Sequence, residues 1–267
     1  MLNKIKKNFK TNKNDIFNKQ GFLIVKNFLS KSKCNEVIKK LRNIRNIRKK
    51  NSLYIGDAKT EVIFNFFYED PSLLKLISNK TIDNFMKKVI DKYYVLQVSS
   101  ARNAIYSTKN EKIAAGYRWH KDNRFINKKN VKPTLLYSII ICLDDFNELN
   151  GATEYIPDTH NTYEIFKRHQ NKKKIKKILA KKGDLVFVNG NLLHRVGKNL
   201  QQNTTRWSIF AFYTPWWIKP SINFKKLMSK HAKKLSVLDK KLLHFDSTPP
   251  GNLKDLITPK GVNSKKK

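Results

Sequence analysis

The stretch "RWHKDNR", residues 118 to 124, holds His120 and Asp122 two positions apart, with Arg118 and Arg124 at its ends. A His-x-Asp pair can be half of a metal site, and it can equally be two polar residues on a loop, so alone it decides nothing. A metal site needs a further ligand from a distant strand. The best candidate is His194 in "KKGDLVFVNGNLLHRVGKN", where it ends an apolar strand. Two histidines and one carboxylate on one face of an iron leave three coordination positions open, the facial triad of non-haem Fe(II) oxygenases. In "TTRWSIFAFYTPWW", Arg206 and Ser208 lie two apart and therefore on one face of a strand. An arginine deep in a barrel, with a serine hydroxyl beside it, can hold the far carboxylate of an α-keto acid.

The elements that must position these residues are read from apolar spacing. After a basic lead over 1–20, "GFLIVKNFLS" reads as a strand followed by Ser30 as a helix cap, and Val37, Ile38 and Leu41 then fall at helical spacing. Asp70-Pro71 opens a second helix with Leu73, Leu74, Leu76 and Ile77 as its stripe, and a third helix runs from Thr81 to Asp91. From "YYVLQVSSARNAIYS" onward the pattern turns to β-rich runs over 93–107, 134–143, 151–157, 184–189 and 206–217. Helices followed by a series of strands predict an α+β fold with a mainly β core, a sandwich or barrel. "HQNKKKIKKILAKKGD" reads as a basic insertion ending in a turn at Gly183-Asp184. The folded domain is expected over 21–220, followed by a basic C-terminal helix and flexible tail over 221–267.

The composition narrows the functional classes. Hydrophobic residues at 40% and aromatics at 11% fit a folded globule rather than a disordered chain. The formal charge of +36 asks whether a polyanion is the partner. Only nine of the 56 basic residues are arginine, the side chain best suited to gripping phosphate, and lysine is spread along the whole chain. That balance favours an A+T-rich coding sequence over a nucleic-acid-binding face. The longest apolar run, Leu135 to Leu143, is too short to cross a bilayer and reads as a buried strand. The N-terminus carries charge without an apolar core, so no secretory signal is expected. Cys34 and Cys142 read as reduced core residues of a cytoplasmic protein.

The order "GFLIVKNFLS", "WHKD", "NGATEYIPDTH", "KGDLVFVNGNLLHRVGKN" and "RWS" resembles the phytanoyl-CoA dioxygenase (PhyH) family, over about Gly21 to Trp217. The resemblance implies a double-stranded β-helix with the N-terminal helices packed outside. It implies Fe(II) held by His120, Asp122 and His194, 2-oxoglutarate anchored by Arg206, and O2 as the second co-substrate. The implied reaction is hydroxylation of a small organic molecule with release of succinate and CO2. The chain departs from the family in three places. The usual Pro-Gly-Ser-His turn reads Pro157-Asp158-Thr159-His160, and the His194-to-Arg206 spacing is about one residue longer. A tryptophan that some relatives place near the co-substrate falls near Ile140, so that contact is not carried over. Retention of Asp122 favours hydroxylation, because halogenating relatives replace this carboxylate with a small residue.

Arg102, Arg118 and Arg124 lie before or beside the candidate ligands in a chain that otherwise prefers lysine. They are candidates for an anionic group of the substrate, against the plainer reading of salt bridges to residues such as Glu111 or Asp144. His160 reads as structural, and His169, His231 and His244 as incidental. Substrate entry is expected over 49–60, 107–117 and 161–183. Two other functions fit the same residues: a cupin-like metalloenzyme that needs no 2-oxoglutarate, and a basic polyanion-binding protein with a vestigial metal site.

Overall fold

The computed structural model describes residues 15–51, 55–56, 60–108, 118–123, 133–162 and 174–247. Arg124, Glu111, His169, most of the expected entry segments and the tail beyond residue 247 lie outside them. The chain divides into two compact units, Met1–Phe64 with Ser100–Phe210, and Asn65–Ser99 with Ala211–Lys267.

In the first unit, strand β1 (Phe22–Val25) leads into helix α1 (Lys31–Lys50). Ser30 caps the helix by accepting from the Lys33 amide, and Cys34, Val37, Ile38, Leu41 and Ile44 form its buried stripe. Arg48, Lys49 and Lys50 close it, where positive charge complements the C-terminal end of the helix dipole. Strands β2 (Ile55–Gly56) and β3 (Thr60–Phe64) follow. Helix α1 is tied to β3 by Arg45, which donates to Glu61 at 3.1 Å, and by Arg48, which donates to the Phe64 carbonyl at 2.7 Å. Burial pushes the Glu61 carboxyl up, but hydrogen bonds from Asn103 and Arg45 outweigh it and hold the group low.

The remaining strands are β4 (Val95–Ile105), β5 (Tyr137–Cys142), β6 (Glu154–Tyr155), β7 (Lys176–Lys177), β8 (Leu185–Asn189), β9 (His194–Arg195) and β10 (Thr205–Thr214). A seven-stranded sheet runs β1-β8-β5-β10-β4-β3-β2, and a three-stranded sheet runs β7-β6-β9. The registered pairs are antiparallel. Every residue of β5 is buried, which explains why its sequence is an unbroken apolar run rather than an alternating one. The core gathers Phe22, Ile140, Cys142, Phe146, Tyr155 and Val186 with their neighbours, and Phe210 packs against it. Cys34 and Cys142 are both free and buried. This is a mixed helix-and-sheet fold with a mainly antiparallel core, as the sequence predicts.

Two expectations need correction. The second half of the supposed insertion belongs to the sheet: Lys176–Lys177 pairs with Glu154–Tyr155, and Ile178 and Ala180 enter the core. Its lysines mask a strand only two residues long. The apolar strand before His194 ends at Asn189, and the histidine stands on the next strand. The chain turns at Gly190, where an added Cβ would lie 2.3 Å from the Leu136 carbonyl oxygen. The helix that Asp70-Pro71 opens is present as a 3₁₀ helix, Pro71–Leu76, closed by i-to-i+3 bonds from the Leu73 and Ile77 amides.

In the second unit, helix α2 (Lys80–Val89) is capped by Asn79, and two short helices, α3 (Phe224–Leu227) and α4 (Val237–Leu242), flank a 3₁₀ turn. Two carboxylates organise it. Asp83 accepts from Lys87, Tyr94 and Lys241, while Asp239 accepts from Lys75, Ser78 and Ser236. Tyr94 and Tyr213 pack edge to face with ring centroids 5.7 Å apart.

Candidate metal centre

The segment 118–123 bends at Arg118 and Asp122 on either side of one bridge at His120, and its odd-numbered residues hold it in place. Trp119 lies under the Arg195 guanidinium at 4.7 Å, Lys121 donates to the carbonyls of Thr159 and Thr162, and Asn123 donates to Asn191. His120 and Asp122 alternate with these anchored residues and converge on His194. His120 extends the three-stranded sheet by one backbone bridge. Its amide donates to the His194 carbonyl at 2.9 Å, and the His194 amide donates back at 3.0 Å. Directly opposed residues of an antiparallel pair project to the same side, and the two imidazole centroids are 4.5 Å apart.

The strand carrying His194 is braced from the turn at 157–160. Asp158 adopts φ 64°, a left-handed conformation open to aspartate, so it serves where the family has glycine. The neighbouring Thr159 hydroxyl donates to Ile156 and accepts from the Leu193 amide, one residue before His194. His160 is buried, with Nε2 at 2.8 Å from the Asn18 carbonyl and 3.0 Å from Asn161, away from the triad. Glu154 and Arg195 face each other across β6 and β9, with Nε donating to the carboxylate at 2.6 Å.

His120 and His194 each place Nδ1 against a backbone carbonyl, Arg118 at 2.7 Å and Leu192 at 2.8 Å. A carbonyl can only accept, so Nδ1 carries the proton and Nε2 is left as a bare lone pair. Both Nε2 atoms are 3.6 Å from Asp122, one from each carboxylate oxygen. The ligand atoms of all three residues fall within 4.8 Å of one another. Burial, followed by the neighbouring His194, pushes the His120 imidazole down, which favours the neutral form that binds metal. Two neutral imidazoles and one carboxylate, fixed in the ligating tautomers, fit a divalent iron with three open positions.

Arg206 and Ser208 are also brought together. Both are buried; Arg206 donates Nη1 to Ser208 Oγ at 3.4 Å and Nε to the Asn150 carbonyl at 3.2 Å, with its guanidinium 4.1 Å over the Phe146 ring. Arg102 lies over the Phe210 ring, near enough for the Asp122 charge to act on it, whereas Arg118 is exposed and contributes its carbonyl. Sequence reasoning missed Asn199, a buried residue that holds the connection from β9 to β10. Its side chain donates to the carbonyls of Ala104 and Thr204 and accepts from the Gln201 amide. Its signal was an asparagine after Gly197-Lys198, a common turn composition with no chemistry of its own.

The family model for phytanoyl-CoA dioxygenase (PhyH) matches residues 17–206. The chain belongs to the phytanoyl-CoA dioxygenase family. Membership makes it a non-haem iron, 2-oxoglutarate-dependent oxygenase by class. Similar solved structures include HygX from Streptomyces hygroscopicus with nickel and 2-oxoglutarate bound, at TM-score 0.64 and 12% identity, covering 78% of this chain and 88% of that one. The epimerase SnoN from nogalamycin biosynthesis, described as α-ketoglutarate dependent, aligns at TM-score 0.59 and 13% identity, over 80% and 87%. EctD from S. alaskensis with bound Fe aligns at TM-score 0.60 and 15% identity, over 77% and 78%. These likenesses show the fold. No protein in the curated set matches. Among the described residues, no helix is long and apolar enough to cross a membrane.

Proposed function

We propose that this phytanoyl-CoA dioxygenase family member hydroxylates a small organic substrate, and that its mainly antiparallel core is a double-stranded β-helix. His120, Asp122 and His194 would hold Fe(II), and Arg206 with Ser208 would hold the far carboxylate of 2-oxoglutarate. The observation that carries this reading is the convergence of two tautomer-locked Nε2 atoms on one carboxylate, each at 3.6 Å. The metals and 2-oxoglutarate held by HygX, and the iron held by EctD, support it from outside the chain.

When bound, iron and 2-oxoglutarate supply the oxidising chemistry, consuming O2 and releasing succinate and CO2 as one oxygen atom passes to the substrate. The chain's own residues orient and exclude. The carbonyls of Arg118 and Leu192 keep the imidazole protons on Nδ1, so that Nε2 stays available. The Arg206 guanidinium supplies a positive charge in an apolar setting, where an unpaired anion would be costly. The Phe146 ring beneath it and the Asn150 carbonyl fix its direction. A carboxylate at residue 122 leaves no ligand position for chloride, which favours hydroxylation over halogenation.

The test is anaerobic addition of Fe(II) and then 2-oxoglutarate, reading the visible charge-transfer band of the chelated co-substrate. Wild type should give a band that His120→Ala removes and Arg206→Ala weakens. A folded, iron-bound protein without the band would point to a metalloenzyme that does without 2-oxoglutarate.

A further inference from the structure

Arg102 is a half-buried cation of the first unit with no anion against it among the described residues. It stands on β4, with its guanidinium carbon 4.7 Å over the Phe210 ring, and that ring packs on the apolar core. Its Nε donates to Ser100 Oγ at 3.2 Å, and its carbonyl accepts from Ser208 Oγ at 3.4 Å. Among the described residues, neither terminal amino group has a hydrogen-bond partner, and no carboxylate comes within ion-pair distance of the guanidinium. Burial pushes the guanidinium down, and the charge that counters this is Asp122 of the triad. Arg102 acts in turn on His120. The guanidinium therefore lies close enough to the triad to feel its charges.

A half-buried guanidinium without an anion is unfavourable, and arginine does not escape by losing its proton. Asp122 cannot neutralise it, because that carboxylate is turned to both imidazoles. The two amino groups present parallel N–H donors in a fork that matches a carboxylate edge, with the Phe210 ring as an apolar wall beside it.

We infer that Arg102 receives the carboxylate of the primary substrate, which makes that substrate a small carboxylic acid oxidised a short distance from its acid group. The inference rests on the dioxygenase reading above and adds the substrate class to it. The co-substrate offers the same chemistry, so the experiment must separate the two sources of carboxylate.

The probes are butyrate and its neutral counterpart butyramide, followed by saturation-transfer NMR at physiological ionic strength. Both are run on metal-free protein and on protein loaded with Zn(II) and 2-oxoglutarate. Wild type should favour butyrate over butyramide by about tenfold, roughly the effect of one modest charge contact, in both forms. Arg102→Gln should lose the preference, and Arg102→Lys should keep part of it. In parallel, the Fe(II)–2-oxoglutarate band should form in both variants, which also reports that they fold. Three results overturn the inference: a preference that survives Arg102→Gln, a preference abolished by loading with 2-oxoglutarate, or a tenfold weaker hold on 2-oxoglutarate in Arg102→Gln. Absence of the band in wild type would sink the dioxygenase reading instead, and it is read separately from the NMR preference that decides Arg102.

Discussion

His120 and His194 exchange backbone hydrogen bonds across a single antiparallel bridge, so the main chain itself sets the distance between their imidazoles. Candidate ligands from positions far apart in sequence are thus spaced by sheet geometry rather than by side-chain packing. Asp122 is different: its carboxylate closes the site but holds no strand together. Asp122→Ala should therefore abolish turnover while leaving the thermal midpoint within a few degrees of wild type, as for a substitution that removes no core contact. Succinate formation and thermal unfolding measured on the same preparation check this. Retained turnover would exclude Asp122 as a ligand.

Arg206 invites a sharper test, because truncation removes both a charge and buried volume. Losing one partner of a buried charge pair costs about 2 kcal/mol or more, roughly thirtyfold in affinity. Arg206→Ala and Arg206→Met should therefore raise the 2-oxoglutarate half-saturation concentration by a similar factor, although methionine refills much of the space. Anaerobic titration of the charge-transfer band measures it. If only the alanine variant were impaired, packing over Phe146, not charge, would be the role of Arg206.

What the sequence reveals follows what it encodes locally. The α1 stripe, the Ser30 cap and the buried β5 run are local patterns of apolar and capping residues, and the structure has them where the pattern places them. Lys176–Lys177 and His194–Arg195 are strands of two residues, too short to show a period, and exist only because β6 lies between them. The triad residues were legible by type and order. The device that makes them a set, two Nδ1 atoms held by carbonyls, leaves no trace in sequence because any residue supplies a carbonyl. Arg102 was visible as an unusual residue type, but the Phe210 ring beneath it comes from a strand more than a hundred positions away.

Acid should loosen the second unit through Asp83 and Asp239. Burial pushes both carboxyls up, but hydrogen bonds from Lys87, Tyr94 and Lys241 to Asp83, and from Lys75, Ser236 and Ser78 to Asp239, more than offset it. Both therefore titrate below their ordinary value of 3.8 in the folded chain. A depressed carboxyl contributes stability that is present above the unfolded value and lost as pH falls through the folded one. Chemical denaturation followed from neutral pH downward should show stability falling most steeply below about pH 4. In Asp83→Asn and Asp239→Asn that fall should be shallower, from a lower starting stability. An unchanged acid slope in both variants would remove these carboxylates as its cause.

Gly183 separates two costs that usually travel together. Its φ of +94° is one that side chains other than glycine rarely adopt, and an added Cβ would lie 2.2 Å from the Leu29 carbonyl oxygen. That carbonyl belongs to the chain just before the α1 cap; the Leu29 amide is in turn bonded to the Gly183 carbonyl at 2.8 Å. The contact is backbone against backbone, so neither side can swing away as a side chain would. Gly183→Ala should cost more than about 2 kcal/mol and lower the thermal midpoint by several degrees. Gly183→Asn tells the two costs apart, because asparagine tolerates positive φ but carries the same Cβ. If the collision with Leu29 dominates, Asn should be as damaging as Ala in a thermal melt. Recovery of the midpoint by Asn would assign the cost to φ alone, and a wild-type midpoint in Ala would show that the β1-to-α1 connection yields.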